Sequence, residues 1–115
     1  MILVADIGGT TTRVAIGSDD GSIHDSRQFS TPRAFSTGMT AVAENMHQLA
    51  GYGSATRVVI GIAGVLNTEK TCLAWSAHLP GWAGYDIPSA LWDQLCLPVS
   101  LENDAALGAL GEARN

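Results

Sequence analysis

The first segment constrains the fold most. Met1 to Ala5 is an uninterrupted apolar run whose pattern carries on through Ile7, and Gly8-Gly9 then breaks it. A strand that is apolar on both faces must be covered on both faces. Thr11 to Ile16 resumes with β-branched residues, placing Val14 and Ile16 on one face. Asp19-Asp20-Gly21 supplies a tight turn. Ser22 to Phe29 then alternates, with Ile23, Arg27 and Phe29 on one face. The pattern predicts three consecutive antiparallel strands.

Thr31-Pro32 ends this meander. Phe35, Met39, Val42, Met46 and Leu49 recur at steps of four and three, which is the apolar stripe of an amphipathic helix. Ser36 is the expected N-cap and Gly51 the expected stop. Arg57 to Ala63 is a second apolar, β-branched run and reads as a strand. Lys70 to Trp75 reads as a short strand, and His78 to Tyr85 as loop because it holds Pro80, Gly81 and Gly84. Asp86 is placed to cap a helix running through Ala90, Leu91, Trp92 and Leu95. Leu97 to Leu101 is the last expected strand, and an alanine-rich helix is expected from Ala105. The expected class is therefore α/β, a mixed sheet with flanking helices.

At 115 residues the chain has the size of one ordinary domain. With 46% apolar and 15% charged residues it is not disordered, and its low charge suggests a surface covered by another domain or subunit. The net charge is −5, and Lys70 is the only lysine. No basic cluster exists to meet nucleic acid or an anionic membrane surface. No apolar run approaches a membrane span, and no basic region precedes Met1 as in a signal peptide. The expected location is cytoplasmic. Cys72 and Cys96 form no C-x-x-C pair and no zinc-ligand spacing, so two reduced thiols are expected.

Three segments can carry chemistry. In Asp6-Ile7-Gly8-Gly9-Thr10-Thr11-Thr12, two glycines let backbone N–H groups approach an anion, and the threonines add hydroxyls. Asp6, at a strand end, suits a magnesium ion held through water. The segment is neither a Walker loop nor G-x-G-x-x-G, so spacing alone leaves an ordinary hairpin open. Glu102-Asn103-Asp104 follows the last strand, where side chains face a crevice; taken alone, Asn and Asp there read first as a helix cap. Gly64 in Gly61-Ile62-Ala63-Gly64-Val65-Leu66-Asn67 permits close approach of a ligand or of backbone. Trp82 of Leu79-Pro80-Gly81-Trp82 suits either a pocket wall or the core.

Taken in order, ADIGGTTTRVAIG, GIAGVLN, LPGW and LENDAALGALGE resemble the ROK sugar kinases over essentially the whole chain. That resemblance implies a ribonuclease H-like, actin-like ATPase fold. It implies that Gly8, Gly9, Thr10 and Thr12 contact ATP phosphates and that Asp6 engages Mg2+ through water. Asp104 would be the catalytic base toward a hexose hydroxyl, with Asn103 and Gly64 beside it in the sugar site. Glu112 is expected to be structural. His78 stands where the family often has Asn.

The resemblance further implies two lobes, with the adenosine pocket and a structural zinc site in a second half. Residues 1–115 are thus expected to be a single N-terminal lobe, inactive alone, associating through an exposed inter-lobe face. The expected partners are a hexose and ATP. The rival readings are a non-catalytic sugar-binding or regulatory ROK protein, and another actin-like ATPase. ROK repressors carry a DNA-binding helix-turn-helix ahead of the kinase-like domain, and Met1 here runs directly into the first strand.

Overall fold

The computed structural model describes residues 1–103. The expected Ala105 helix, Asp104 and Glu112 lie outside the described residues. The three-strand meander forms as β1 (Ile2–Ile7), β2 (Thr11–Gly17) and β3 (Ile23–Ser30). Beyond it come α1 (Phe35–His47), β4 (Arg57–Ile62), β5 (Val65–Leu66), β6 (Leu73–Trp75), α2 (Ile87–Leu95) and β7 (Val99–Glu102). Among the described residues, the main sheet runs β3-β2-β1-β4-β7, and β5 pairs with β6. β1 is antiparallel to β2 but parallel to β4, which is parallel to β7. A mixed α/β sheet results.

Strand alternation sets the two faces. Leu3, Ala5 and Ile7 join Val14, Ile16, Val58, Ile60 and Ile62 in one core, closed by both helices through Met39, Val42, Met46, Ile87, Leu91 and Leu95. Ile2, Val4, Ala15 and Val59 form a second buried cluster on the opposite face. β1 is therefore buried on both sides, as its run requires.

Several boundaries differ from expectation. α1 starts one residue before Ser36: Ala34 is its N-cap and no side chain caps it. Phe35 sets that start, stacking on Tyr85 at 4.5 Å and meeting Trp82 edge-on at 5.6 Å. The helix ends at His47 rather than near Gly51. Gln48 and Leu49 turn back to the carbonyls of Asn45 and Met46, the tight i→i−3 bonds that close a helix. Gly51, at φ 87°, instead opens a 3₁₀ turn over Tyr52–Ser54. A register shift between Ile16 and Gly17 takes Ile23 out of the expected alternation, leaving it 41% exposed. The strand expected from Lys70 begins at Leu73. Asn67 Oδ1 accepts from Thr71 N and Cys72 N at 2.8 and 3.1 Å and holds those residues in a turn.

Asp86 caps α2 as expected, its Oδ1 accepting from Ser89 N at 2.8 Å. Ile87, Leu91 and Leu95 face the core at helical spacing, whereas Trp92 is 52% exposed. Asp86→Ala is expected to cost about 1 kcal/mol, measured by urea denaturation. An unchanged midpoint would show that α2 is held by packing alone.

Candidate functional site

Parallel pairing brings the C-terminal ends of β1, β4 and β7 to one edge of the sheet. Asp6 sits opposite Gly61, and Gly61 opposite Glu102. The segments that leave this edge are Gly8-Gly9-Thr10, the turn at Gly64, and Asn103. Three motifs far apart in sequence thus converge where ligands bind in sheets of this kind.

Gly8 and Gly9 form a tight turn between β1 and β2. Gly8 N–H donates to Thr11 O at 3.0 Å. A Cβ on Gly9 would collide with His78 Cβ, so only glycine fits there without displacing the 76–80 loop. Asp6 is half-buried, and Thr10 is exposed. Thr12 is fully buried, and its hydroxyl lies 2.7 Å from that of Thr31. The reason is alternation: Thr12 shares the inward face of β2 with Val14 and Ile16. Its hydroxyl therefore lies behind the turn, away from solvent.

Gly64 adopts φ 139°, and a Cβ there would come within 2.7 Å of both Leu73 Cδ2 and Trp75 O. Asn103 Nδ2 donates to Gly64 O at 2.7 Å. That bond ties the end of β7 to the turn after β4. Ser76, only 3% exposed, donates to Ala63 O at 3.3 Å and accepts from Leu79 N at 3.2 Å. Glu102 pairs with Lys70 at 3.2 Å with both side chains about half exposed, so the pair contributes little.

A cleft of about 200 Å³ opens beside the glycine turn, lined by Gly9, Arg33, His78, Leu79, Pro80 and Gly81. Arg33 and His78 give it one fixed cation and one imidazole. Sequence reasoning misses Arg33, Thr31 and Ser76. Each stands alone among ordinary loop residues, with no spacing that marks it. Trp82 belongs to the core: it is fully buried, and Nε1 donates to Pro32 O and Arg33 O at 3.3 and 3.2 Å.

Among the described residues no group of three His, Cys, Asp or Glu side chains could hold a metal ion. Cys72 and Cys96 are free thiols. No described helix is long and apolar enough to cross a membrane.

A family model described as "ROK family" matches residues 2–115. The chain is 28% identical over 113 residues to a glucokinase of Thermotoga maritima, covering 96% of this chain and 36% of that protein. It is 30% identical over 110 residues to an N-acetylmannosamine kinase of Escherichia coli, covering 96% and 38%. It superimposes on a ROK family glucokinase from Streptomyces griseus, solved in complex with glucose and AMPPNP. There the TM-score is 0.76 at 23% identity, over 88% of this chain and 33% of that one. The chain thus spans between a third and two fifths of the length of these proteins.

Proposed function

The chain belongs to the ROK family and has the α/β fold of its actin-like ATPase kinases, and on that premise we propose that it is the N-terminal part of an ATP-dependent sugar kinase. The proposed reaction moves the γ-phosphate of ATP to a hydroxyl of a hexose, of the glucose or N-acetylhexosamine class. The observation that carries this reading is the convergence of the Gly8-Gly9-Thr10 turn, Gly64 and Asn103 at the ends of three parallel strands.

In this reading the glycine turn receives the phosphates, because nothing beyond Cα keeps the backbone from them. Thr10 offers an exposed hydroxyl beside it. Asn103 spends Nδ2 on Gly64 O, so its Oδ1 is left to accept from a sugar hydroxyl. Asp104, the next residue, would take the proton from the attacking hydroxyl as the γ-phosphorus–oxygen bond to ADP breaks. A half-buried carboxylate at the end of β1 suits magnesium, which keeps several waters and takes one or two carboxylates. Held by Asp6 through water, that ion would neutralise phosphate charge. The chain by itself is proposed to be inactive, since it spans so little of its relatives' length.

Asp104→Ala in the longer protein that carries this chain tests the reading. Turnover should fall by about 10²–10⁴-fold, the usual contribution of a positioned base, with hexose affinity kept within a few-fold. Full turnover in the variant would remove Asp104 from the role of base. A wild-type protein that transfers no phosphate to any hexose would remove the kinase reading itself.

A further inference from the structure

Thr31 holds the glycine turn at two points. Its hydroxyl donates to Gly8 O at 2.7 Å. Its backbone N–H donates to Thr10 O at 2.9 Å. A hydroxyl has one proton, so the Thr31 proton is committed to Gly8 O. The 2.7 Å contact between Thr31 and Thr12 must then have Thr12 as donor. The hydroxyl chain runs one way, from buried Thr12 to Thr31 to the carbonyl of Gly8.

The direction has a consequence for Gly9. Every peptide bond described is trans. In a trans peptide the carbonyl and the following N–H point in opposite directions. Drawing Gly8 O and Thr10 O toward Thr31 turns the N–H groups of Gly9 and Thr11 away from it. Glycine has no side chain to oppose other orientations of these peptides, so the turn needs an external anchor.

We infer that Thr31 is a positioning residue: it aims the backbone N–H groups of Gly9 and Thr11 outward for a phosphate, and Thr12 orients the Thr31 hydroxyl from behind. This rests on the phosphate-binding role proposed above for the turn. Thr31 itself touches no nucleotide, since its hydroxyl is spent on Gly8 O. It leaves β3 19 residues after Thr12 and 23 after Gly8. The edge strand is thereby coupled to the turn that faces the ligand.

The test compares Thr31→Val, Thr31→Ser and Thr12→Val. Thr31→Val keeps the backbone N–H and the side-chain shape but removes the hydroxyl. Amide hydrogen exchange at Gly8 and Thr31, whose N–H groups donate to Thr11 O and Thr10 O, should quicken about tenfold relative to wild type. In the longer protein, KM for ATP should rise about five- to tenfold while KM for the hexose is unchanged. Thr31→Ser should restore both readouts. Thr12→Val should have the smaller effect, because Thr31 can still donate to Gly8 O. Unaltered exchange in Thr31→Val would overturn the inference, as would equal rises in both KM values or failure of serine to rescue. The exchange readout does not involve turnover, so it judges Thr31 even if the wild-type protein proves not to be a kinase.

Discussion

Gly64→Ala is expected to destabilise the protein by about 2–6 kcal/mol. Two costs add. At φ 139° an L side chain is strained by roughly 1–3 kcal/mol. The new methyl would also lie 2.7 Å from Trp75 O and Leu73 Cδ2 and 3.1 Å from Ser76 Cβ. Overpacking of that kind costs typically about 1–3 kcal/mol, and a backbone carbonyl in a paired strand cannot swing aside as a side-chain tip can. β5 and β6 would have to part, and the Asn103 bond to Gly64 O would be strained with them. Against a whole-domain stability of about 5–15 kcal/mol, this is a large fraction. Urea denaturation measures it as a lower midpoint at unchanged slope. Gly53→Ala is the matched control: nothing lies within 4 Å of its would-be Cβ. It should be neutral or slightly stabilising. Equal midpoints for the two variants would show that Gly64 is not confined as described.

Trp82→Ala is expected to cost about 3–5 kcal/mol, the range for emptying a buried aromatic site. The indole is fully buried, and Gly38 of α1 lies against it so closely that a Cβ there would collide with Cζ2. Helix and ring are thus fitted by the absence of a side chain on the helix. The substitution also removes the Nε1 hydrogen bonds to Pro32 O and Arg33 O and the ring contact with Phe35. The same substitution frees the Arg33 carbonyl and the 80–82 turn, both at the wall of the cleft. Unfolding should move to lower urea. A fully stable Trp82→Ala would mean that the site refills by rearrangement.

Part of the site is legible in the residues alone. Asp6, Gly8 and Gly9 form the strand end and tight turn that their pattern predicts, because a double-faced apolar run followed by Gly-Gly has few other solutions. Asp86 is the cap it is expected to be, because capping is settled within three residues. The stripe from Met39 to Leu49 is core, as its spacing requires. Thr12 is legible in principle, since its parity with Val14 and Ile16 puts it indoors. Its place in a run of three threonines after Gly-Gly hides that parity and suggests a ligand contact instead.

Sequence by itself therefore determined the elements whose cause is local: strand faces of period two, a helix stripe of period 3.6, glycine turns and a side-chain cap. It also determined the order of the motifs that mark the family. Tertiary structure alone decided which ends meet. The parallel pairing of β1, β4 and β7 carries Gly64 and Asn103 to the glycine turn, and Thr31 reaches Gly8 across 23 residues. It also decided where α1 starts, through Phe35 on Trp82 and Tyr85, and that Arg33 and His78 share a cleft. The physical reason is range. Periodicity and capping act over a few residues and leave their mark in the string of residues. Packing and long-range hydrogen bonds act between segments that only the folded sheet brings within a few ångströms.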